Sequence, residues 1–143
     1  MKTNSSEMAI QLRTEVEFDA AHRLVGYNGE CSQLHGHTWR VVVEVFGSRS
    51  QKDSTGILLD FKVVKRMVRE FDHKTILYDC KENKLLASTL SISNDGAGLK
   101  LMNCNPTAEN LAMYFWKVLK KINSELHYGV EVWESKTSFA KVA

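Results

Sequence analysis

The amino-acid sequence predicts an α+β fold in which helices cover one face of an antiparallel sheet. Polar and apolar residues alternate over residues 10–18, which is typical of a strand with one buried face. Residues 37–47 are rich in β-branched and aromatic side chains and indicate a second strand. Two later segments, 61–71 and the one opened by Asn105-Pro106, carry apolar residues at helical spacing. This grouping of strands and helices favours the α+β class.

The predicted strands account for both ends of the chain. The first strand runs toward His22, and a loop that contains glycine and asparagine follows it. A polar turn at residues 48–56 follows the second strand, and we expect the two strands to form an antiparallel hairpin. A last strand is predicted from Val130 to Phe139.

The predicted helices have recognisable start and stop signals. Asp60 is a good N-cap for the first helix. Pro106 suits the first position of the second helix, and Gly129 follows the end of that helix. Between the helices, residues 79–104 lack a clear period, so we expect mostly loop with room for one short hairpin.

Bulk composition limits the classes of function. The polar residues 1–8 predict a flexible N-terminus. The length of 143 residues predicts a single domain, at 9–143. A net charge of +2 is too small to indicate nucleic-acid binding. There is no membrane-spanning apolar stretch and no hydrophobic segment behind the first lysine, so a cytoplasmic protein is expected. Three cysteines without an export signal argue against a disulfide framework.

The most informative cluster lies between the first two strands. His35 and His37 are two residues apart at the start of a strand, so their side chains leave the same face. If the strands pair antiparallel, His22 lies opposite them. Three neutral imidazoles with a free fourth position describe a catalytic zinc site. Cys31 precedes the pair by a short loop, and positive charge nearby would stabilise its thiolate.

Each of these residues also has an ordinary structural interpretation. A His-x-His pair on a strand is often packing or surface, and a single cysteine is usually a small buried hydrophobe. Asp72-His73 suits a general acid or base, or a histidine at a helix end. Glu134 shares a strand face with apolar residues, so it suits a ligand with paired N–H donors or a salt bridge.

The motifs taken together resemble the 6-pyruvoyl-tetrahydropterin synthase and 6-carboxy-tetrahydropterin synthase family. They occur in family order and cover most of the chain. The matching segments are FDAAHRL (18–24), CSQLHGHTW (31–39), GILLDF (56–61), FDH (71–73), NPTAENLA (105–112) and VEVWESKTS (130–138). The resemblance implies the tunnelling fold, or T-fold, an antiparallel four-stranded sheet with two helices on one face. It also implies a homo-oligomeric barrel, a hexamer of two trimers, which would protect the sheet edges.

The resemblance assigns a role to each candidate residue. The resemblance implies zinc as the cofactor. It implies a small-molecule pterin triphosphate, 7,8-dihydroneopterin triphosphate, as the substrate. Cys31 matches the catalytic thiol, and Asp72 and His73 match a proton-transfer pair supplied by a neighbouring subunit. The remaining matches are zinc ligands at His22, His35 and His37, a pterin anchor at Glu134, and residues near the pterin ring at Thr107 and Glu109.

The spacing of the motif favours one branch of the family. Three residues separate Cys31 from His35, which resembles the 6-carboxy-tetrahydropterin synthases of queuosine biosynthesis. The pyruvoyl enzymes usually have a longer gap, and a folate-linked group uses a glutamate near this site, where Glu30 stands here. The long 79–104 segment departs from compact members. Pyruvoyl-tetrahydropterin synthesis and a non-catalytic pterin-binding T-fold module therefore stay open as alternatives.

Overall fold

The computed structural model describes residues 7–143. The predicted flexible segment 1–8 falls mostly on residues 1–6, which lie outside the described residues. Glu7 contacts the turn after the second strand, where its carboxylate accepts a hydrogen bond from the Ser50 amide at 3.0 Å. No helix in this part of the chain is long and apolar enough to cross a membrane.

Two long strands form the centre of the sheet. β1 (Ala9–His22) pairs with β2 (His35–Ser48) along its whole length, so the predicted antiparallel pairing is confirmed. The loop of residues 23–34 connects them. On β1 the even-numbered side chains face the core, and the odd-numbered ones face away from it. Phe18 stacks on the buried Trp39 of β2, with 6.0 Å between ring centroids.

The sheet is larger than predicted and is mixed rather than antiparallel. Six strands are described, in the order β4-β3-β1-β2-β5-β6, so the expected four-stranded antiparallel sheet is wrong. β3 (Lys74–Tyr78) runs parallel to β1, and β5 (His127–Trp133) runs antiparallel to β2. The predicted last strand 130–139 is in fact two strands, because a turn separates β5 from β6 (Phe139–Val142).

The 79–104 segment is more ordered than predicted. It contains α2 (Lys84–Ile92) and β4 (Leu99–Met102), and β4 runs parallel to β3. The connection is therefore a strand–helix–strand crossover instead of a loop with a hairpin. α2 has no fully buried residue, and Leu85 is 83% exposed, so the segment gives only a weak helical pattern.

Two helices cover the core face of the sheet, as predicted. α1 (Phe61–Arg69) is capped by Asp60, whose carboxylate accepts from the Lys62 amide at 2.9 Å. α3 (Ala108–Ile122) is capped by Thr107, so the prediction that Pro106 takes the first helical position is wrong by two residues. The helices and strands share one hydrophobic core, whose fully buried helical side chains are Val64, Val68, Leu111, Ala112, Phe115 and Leu119.

Candidate metal centre

Three histidine side chains meet where β1 ends and β2 begins. His22 is the last residue of β1 and pairs directly with His35, the first residue of β2. His37 follows two residues later, so strand alternation places it on the same face as His35. The ring centroids of the three imidazoles lie 4.6 to 5.1 Å apart. The predicted histidine cluster is therefore brought together by the register of one strand pair.

Backbone carbonyls fix which nitrogen of the His22 and His35 rings faces the cluster. The Nδ1 atom of His22 lies 2.7 Å from the Pro106 carbonyl oxygen, and Nδ1 of His35 lies 2.7 Å from that of Gln33. A carbonyl can only accept, so both Nδ1 atoms carry the proton and both Nε2 atoms present a lone pair. His37 Nε2 is buried and has no hydrogen-bond partner. All three Nε2 atoms are thus free to bind a metal.

Glu134 completes the cluster from the end of β5. Its Oε1 atom lies 3.3 Å from His22 Nε2 and 3.4 Å from His37 Nε2, and His22 Nε2 lies 3.1 Å from His35 Nε2. Tetrahedral ligands at about 2.0–2.1 Å from zinc lie about 3.3–3.4 Å apart. The observed separations fit such an ion, and the imidazole and carboxylate donors are ones that zinc accepts.

Burial favours the neutral form of the histidines. His22 is fully buried, and loss of solvation lowers its pKa despite the hydrogen bond to Pro106 and the nearby Glu134 carboxylate, which raise it. Loss of solvation also lowers the pKa of His37. Neutral imidazole is the form that binds a metal. The lowered pKa values of His22 and His37 therefore favour the ring form that a cation binds.

Trp39 and Pro106 support the cluster, and neither was singled out from the sequence. The Trp39 ring lies under His22 and His37 edge to face, with centroid distances of 4.9 and 5.2 Å. Trp39 is itself fixed, because it is buried and its Nε1 donates to the Ala20 carbonyl at 3.3 Å. The periodicity of β2 could have indicated Trp39, but a backbone carbonyl such as that of Pro106 leaves no sequence signal.

Cys31 lies in a short 3-10 turn of the loop between β1 and β2. The turn covers Glu30–Ser32, and the Cys31 carbonyl accepts from the Leu24 amide at 2.9 Å. This bond ties the turn to the residues that follow His22. The thiol is partly exposed and is not one of the four converging groups. Cys31 is close to His35 in the sequence, but its thiol is separate from the four converging groups.

Asp72 and His73 form a second polar cluster around Asp19. Asp72 Oδ1 accepts from the Asp19 amide at 2.9 Å and lies 3.0 Å from His73 Nδ1. The Asp19 carboxylate accepts from the Thr38 hydroxyl at 2.6 Å on the sheet face away from the helices. The Asp19 amide is the main reason that the pKa of Asp72 is lowered. Asp19 was missed from the sequence, although its place in the FDAAHRL segment pointed to it.

The two predicted residues near the pterin ring lie at the start of α3. The Thr107 hydroxyl accepts from the Asn110 amide at 3.2 Å as the helix cap, and Glu109 is exposed in the first turn. Neither belongs to the metal cluster. Asn105 ties this segment to the loop after β1 through two 2.9 Å hydrogen bonds with the Val25 backbone. The start of α3 is thereby held beside the end of β1.

Known proteins share this sequence pattern and fold. The family model described as 6-pyruvoyl tetrahydropterin synthase matches residues 11–143. This chain belongs to that family. A 6-carboxy-5,6,7,8-tetrahydropterin synthase of Rickettsia bellii is 33% identical over 110 residues, which cover 73% of this chain and 76% of that protein. One from Haemophilus influenzae is 28% identical over 139 residues, covering 92% and 96%.

Solved structures support the fold independently. An uncharacterized protein from Wolinella succinogenes superposes with a TM-score of 0.75 at 20% identity, covering 94% of this chain and 98% of that one. The 6-pyruvoyl tetrahydropterin synthase of Plasmodium vivax gives a TM-score of 0.65 at 19% identity, covering 95% and 98%. The chain therefore shares the α+β fold of these structures. The family model that matches residues 11–143 confirms the predicted family.

Proposed function

We propose that this chain is a zinc-dependent 6-carboxy-5,6,7,8-tetrahydropterin synthase. It would convert 7,8-dihydroneopterin triphosphate and water into 6-carboxytetrahydropterin, acetaldehyde and triphosphate, a step of queuosine biosynthesis. The observation that carries the proposal is the convergence of three histidine side chains, two of which have their tautomer fixed by backbone carbonyls. The relatives named for this product, together with the short spacing from Cys31 to His35, favour the carboxy branch.

In this proposal the metal centre binds the reacting part of the substrate. His22, His35 and His37 hold zinc, which when bound polarises the side-chain hydroxyls and eases loss of the adjacent carbon-bound protons. The Pro106 and Gln33 carbonyls orient two of the rings. The Glu134 carboxylate accepts the paired N–H donors of the pterin ring, while Thr107 and Glu109 lie near that ring.

Proton transfer is assigned to residues outside the metal ligand set. Cys31 lies on the turn beside β1 and would take or return a proton as its thiolate. Asp72 orients the His73 imidazole through the contact at 3.0 Å, which leaves Nε2 to exchange protons. The Asp19–Asp72–His73 cluster is built on the opposite sheet face from the metal centre. This placement supports a homo-oligomer in which His73 serves a neighbouring subunit, and the family resemblance implies a hexamer of two trimers.

Product identification tests the proposal. The chain is incubated with 7,8-dihydroneopterin triphosphate, and all products are identified by mass spectrometry, with acetaldehyde trapped as a hydrazone. Release of acetaldehyde with 6-carboxytetrahydropterin is expected. The family description favours a second candidate, 6-pyruvoyl-tetrahydropterin synthesis, which would give triphosphate but no acetaldehyde. Pterin binding without turnover in zinc-loaded protein would instead identify a non-catalytic binding module and overturn both.

A further inference from the structure

The Glu134 carboxylate lies among the metal-binding nitrogens, although the family resemblance gives it to the pterin. Oε1 is nearly equidistant from His22 Nε2 and His37 Nε2, at 3.3 and 3.4 Å. Within the described residues, Glu134 forms no ion pair with a lysine or arginine. Its side chain is 36% exposed, so one side of the carboxylate opens toward solvent. The alternative prediction of a salt bridge to lysine or arginine is therefore not met.

This contact requires a cation. The hydrogen bond to Pro106 places the His22 proton on Nδ1, so Nε2 directs a lone pair at the carboxylate. The lone-pair nitrogen of His22 and the anionic oxygen, 3.3 Å apart, repel one another unless positive charge lies between them. The His22–His35 contact at 3.1 Å has the same requirement. One ion bound to all four groups satisfies every contact at once.

We propose that Glu134 is the fourth ligand of the resting metal centre and that it leaves the metal when the pterin substrate binds. The carboxylate then exchanges a metal contact for the paired N–H donors of the pterin ring, while substrate oxygens take the vacated position. The second half of this proposal rests on the proposed function, but the first half does not. A catalytic zinc site normally keeps one open position, and here a protein carboxylate closes it until substrate arrives.

The backbone at Glu134 is held, so the exchange needs only side-chain rotation. Glu134 follows Trp133, the last residue of β5, and its amide donates to the Ser138 carbonyl at 3.1 Å. Trp133 stacks on Phe139 with 4.2 Å between centroids, and its Nε1 donates to Glu131 Oε2 at 2.9 Å. These contacts fix the turn on both sides. A glutamate side chain on a fixed backbone can move its carboxylate between two partners.

Metal affinity tests the resting ligand. Zinc binding is measured by chelator competition in the full chain and in Glu134→Gln, with Glu131→Gln as the control on the same strand. The amide of Glu131→Gln still accepts from Trp133, and this control is expected to bind zinc normally. Loss of a direct ligand should cost at least the roughly 10- to 100-fold known for groups behind the ligands. Affinity within twofold of the unmodified chain would overturn the proposal.

A spectroscopic measurement on the unmodified chain covers the case in which Glu134→Gln does not fold. Cobalt(II) replaces zinc, and electron–nuclear double resonance with isotopically labelled water detects water bound to the metal. The resting chain is expected to show none, and addition of neopterin, an unreactive pterin, should change the cobalt spectrum. A metal-bound water in the resting chain would overturn the proposal. Lyase activity alongside that result would leave the proposed function intact, whereas a confirmed ligand without turnover would refute the function alone.

Discussion

The metal centre and the Asp19–Asp72–His73 cluster begin three residues apart on the same strand, yet they have opposite surroundings. His22 is completely buried on the helix-covered face, whereas the His73 side chain is 80% exposed. Strand alternation sends Asp19 and His22 to different faces. The difference teaches that one strand can supply two kinds of chemistry. The buried imidazoles suit the binding of a cation, and the exposed carboxylate–imidazole pair suits the proposed exchange of protons with a substrate.

The two clusters also differ in what orients their histidines. Backbone carbonyls of Pro106 and Gln33 orient His22 and His35, and burial lowers the pKa of His22. A carboxylate orients His73, because Asp72 Oδ1 lies 3.0 Å from His73 Nδ1. His73 also adopts a left-handed backbone conformation, with φ of 58°, and its amide donates to the Asp19 carbonyl at 2.7 Å. That rare conformation is retained at a position suited to function.

The largest expected effect comes from removing a ligand of the buried cluster. His37→Ala should reduce zinc content from about one per chain to near zero. Lyase activity should fall at least about 10³-fold, because several kcal/mol of metal stabilisation are lost. Zinc is measured by plasma mass spectrometry beside a product assay. His127→Ala, which changes an exposed histidine at the start of β5, is the matched control and should retain both.

Cys31 separates metal binding from proton transfer. Cys31→Ala should keep its zinc and lose roughly 10²- to 10⁴-fold in turnover, because a positioned acid or base is removed while the ligands remain. Cys104→Ala changes another partly buried thiol and should leave turnover unchanged. Full activity of Cys31→Ala would remove Cys31 from the mechanism.

His73→Gln tests whether the exposed cluster acts in turnover without binding zinc. Zinc content should stay near one per chain, while turnover falls by roughly 10²-fold or more. If His73 acts on a neighbouring subunit, mixed oligomers of His73→Gln and Cys31→Ala should regain part of the activity that each variant lacks. Activity is measured after co-refolding or co-expression. No recovery in verified mixed oligomers would place the pair and the thiol in the same subunit's site.

The smallest effect concerns stability and pH. The pKa of Asp72 lies below its ordinary value of 3.8, chiefly because its carboxylate accepts from the Asp19 amide. Asp72 therefore stabilises the folded chain above that value, and the contribution disappears as pH falls through the lowered pKa. Asp72→Asn should reduce the free energy of unfolding by less than about 1 kcal/mol near neutral pH, since the group is solvent-screened. Urea unfolding should show this gap closing as pH falls below the ordinary value of 3.8. A gap that widens would contradict the assignment.

Much of the core could be predicted from the sequence because periodicity reports burial. Alternation predicted β1 and β2, and their pairing brought His22, His35 and His37 together as expected. α2 was not predicted, because a short helix with no fully buried residue gives only a weak apolar pattern. β4 was also not predicted, since the sequence of a short edge strand with partly exposed leucines resembles that of a loop.

The parts of the site that were missed depend on contacts between distant segments. The Pro106 carbonyl meets His22 across 84 positions of the chain, and only the packing of α3 against the sheet brings it there. Asp19 becomes part of the second cluster through backbone groups. Glu134 was expected at the pterin, but its place beside the histidines depends on where β5 ends. Sequence patterns predict which face of a helix or strand is buried. They do not predict which ends of helices and strands lie next to one another.

The most direct test of the comparison is anomalous diffraction at the zinc absorption edge from crystals grown with zinc. We expect one strong peak in each subunit between His22, His35 and His37, within bonding distance of their Nε2 atoms, and no peak at Asp19, Asp72 and His73. A peak at the exposed cluster with none at the buried one would contradict the account. Crystals with no zinc peak from an enzyme that retains full turnover would also contradict the account.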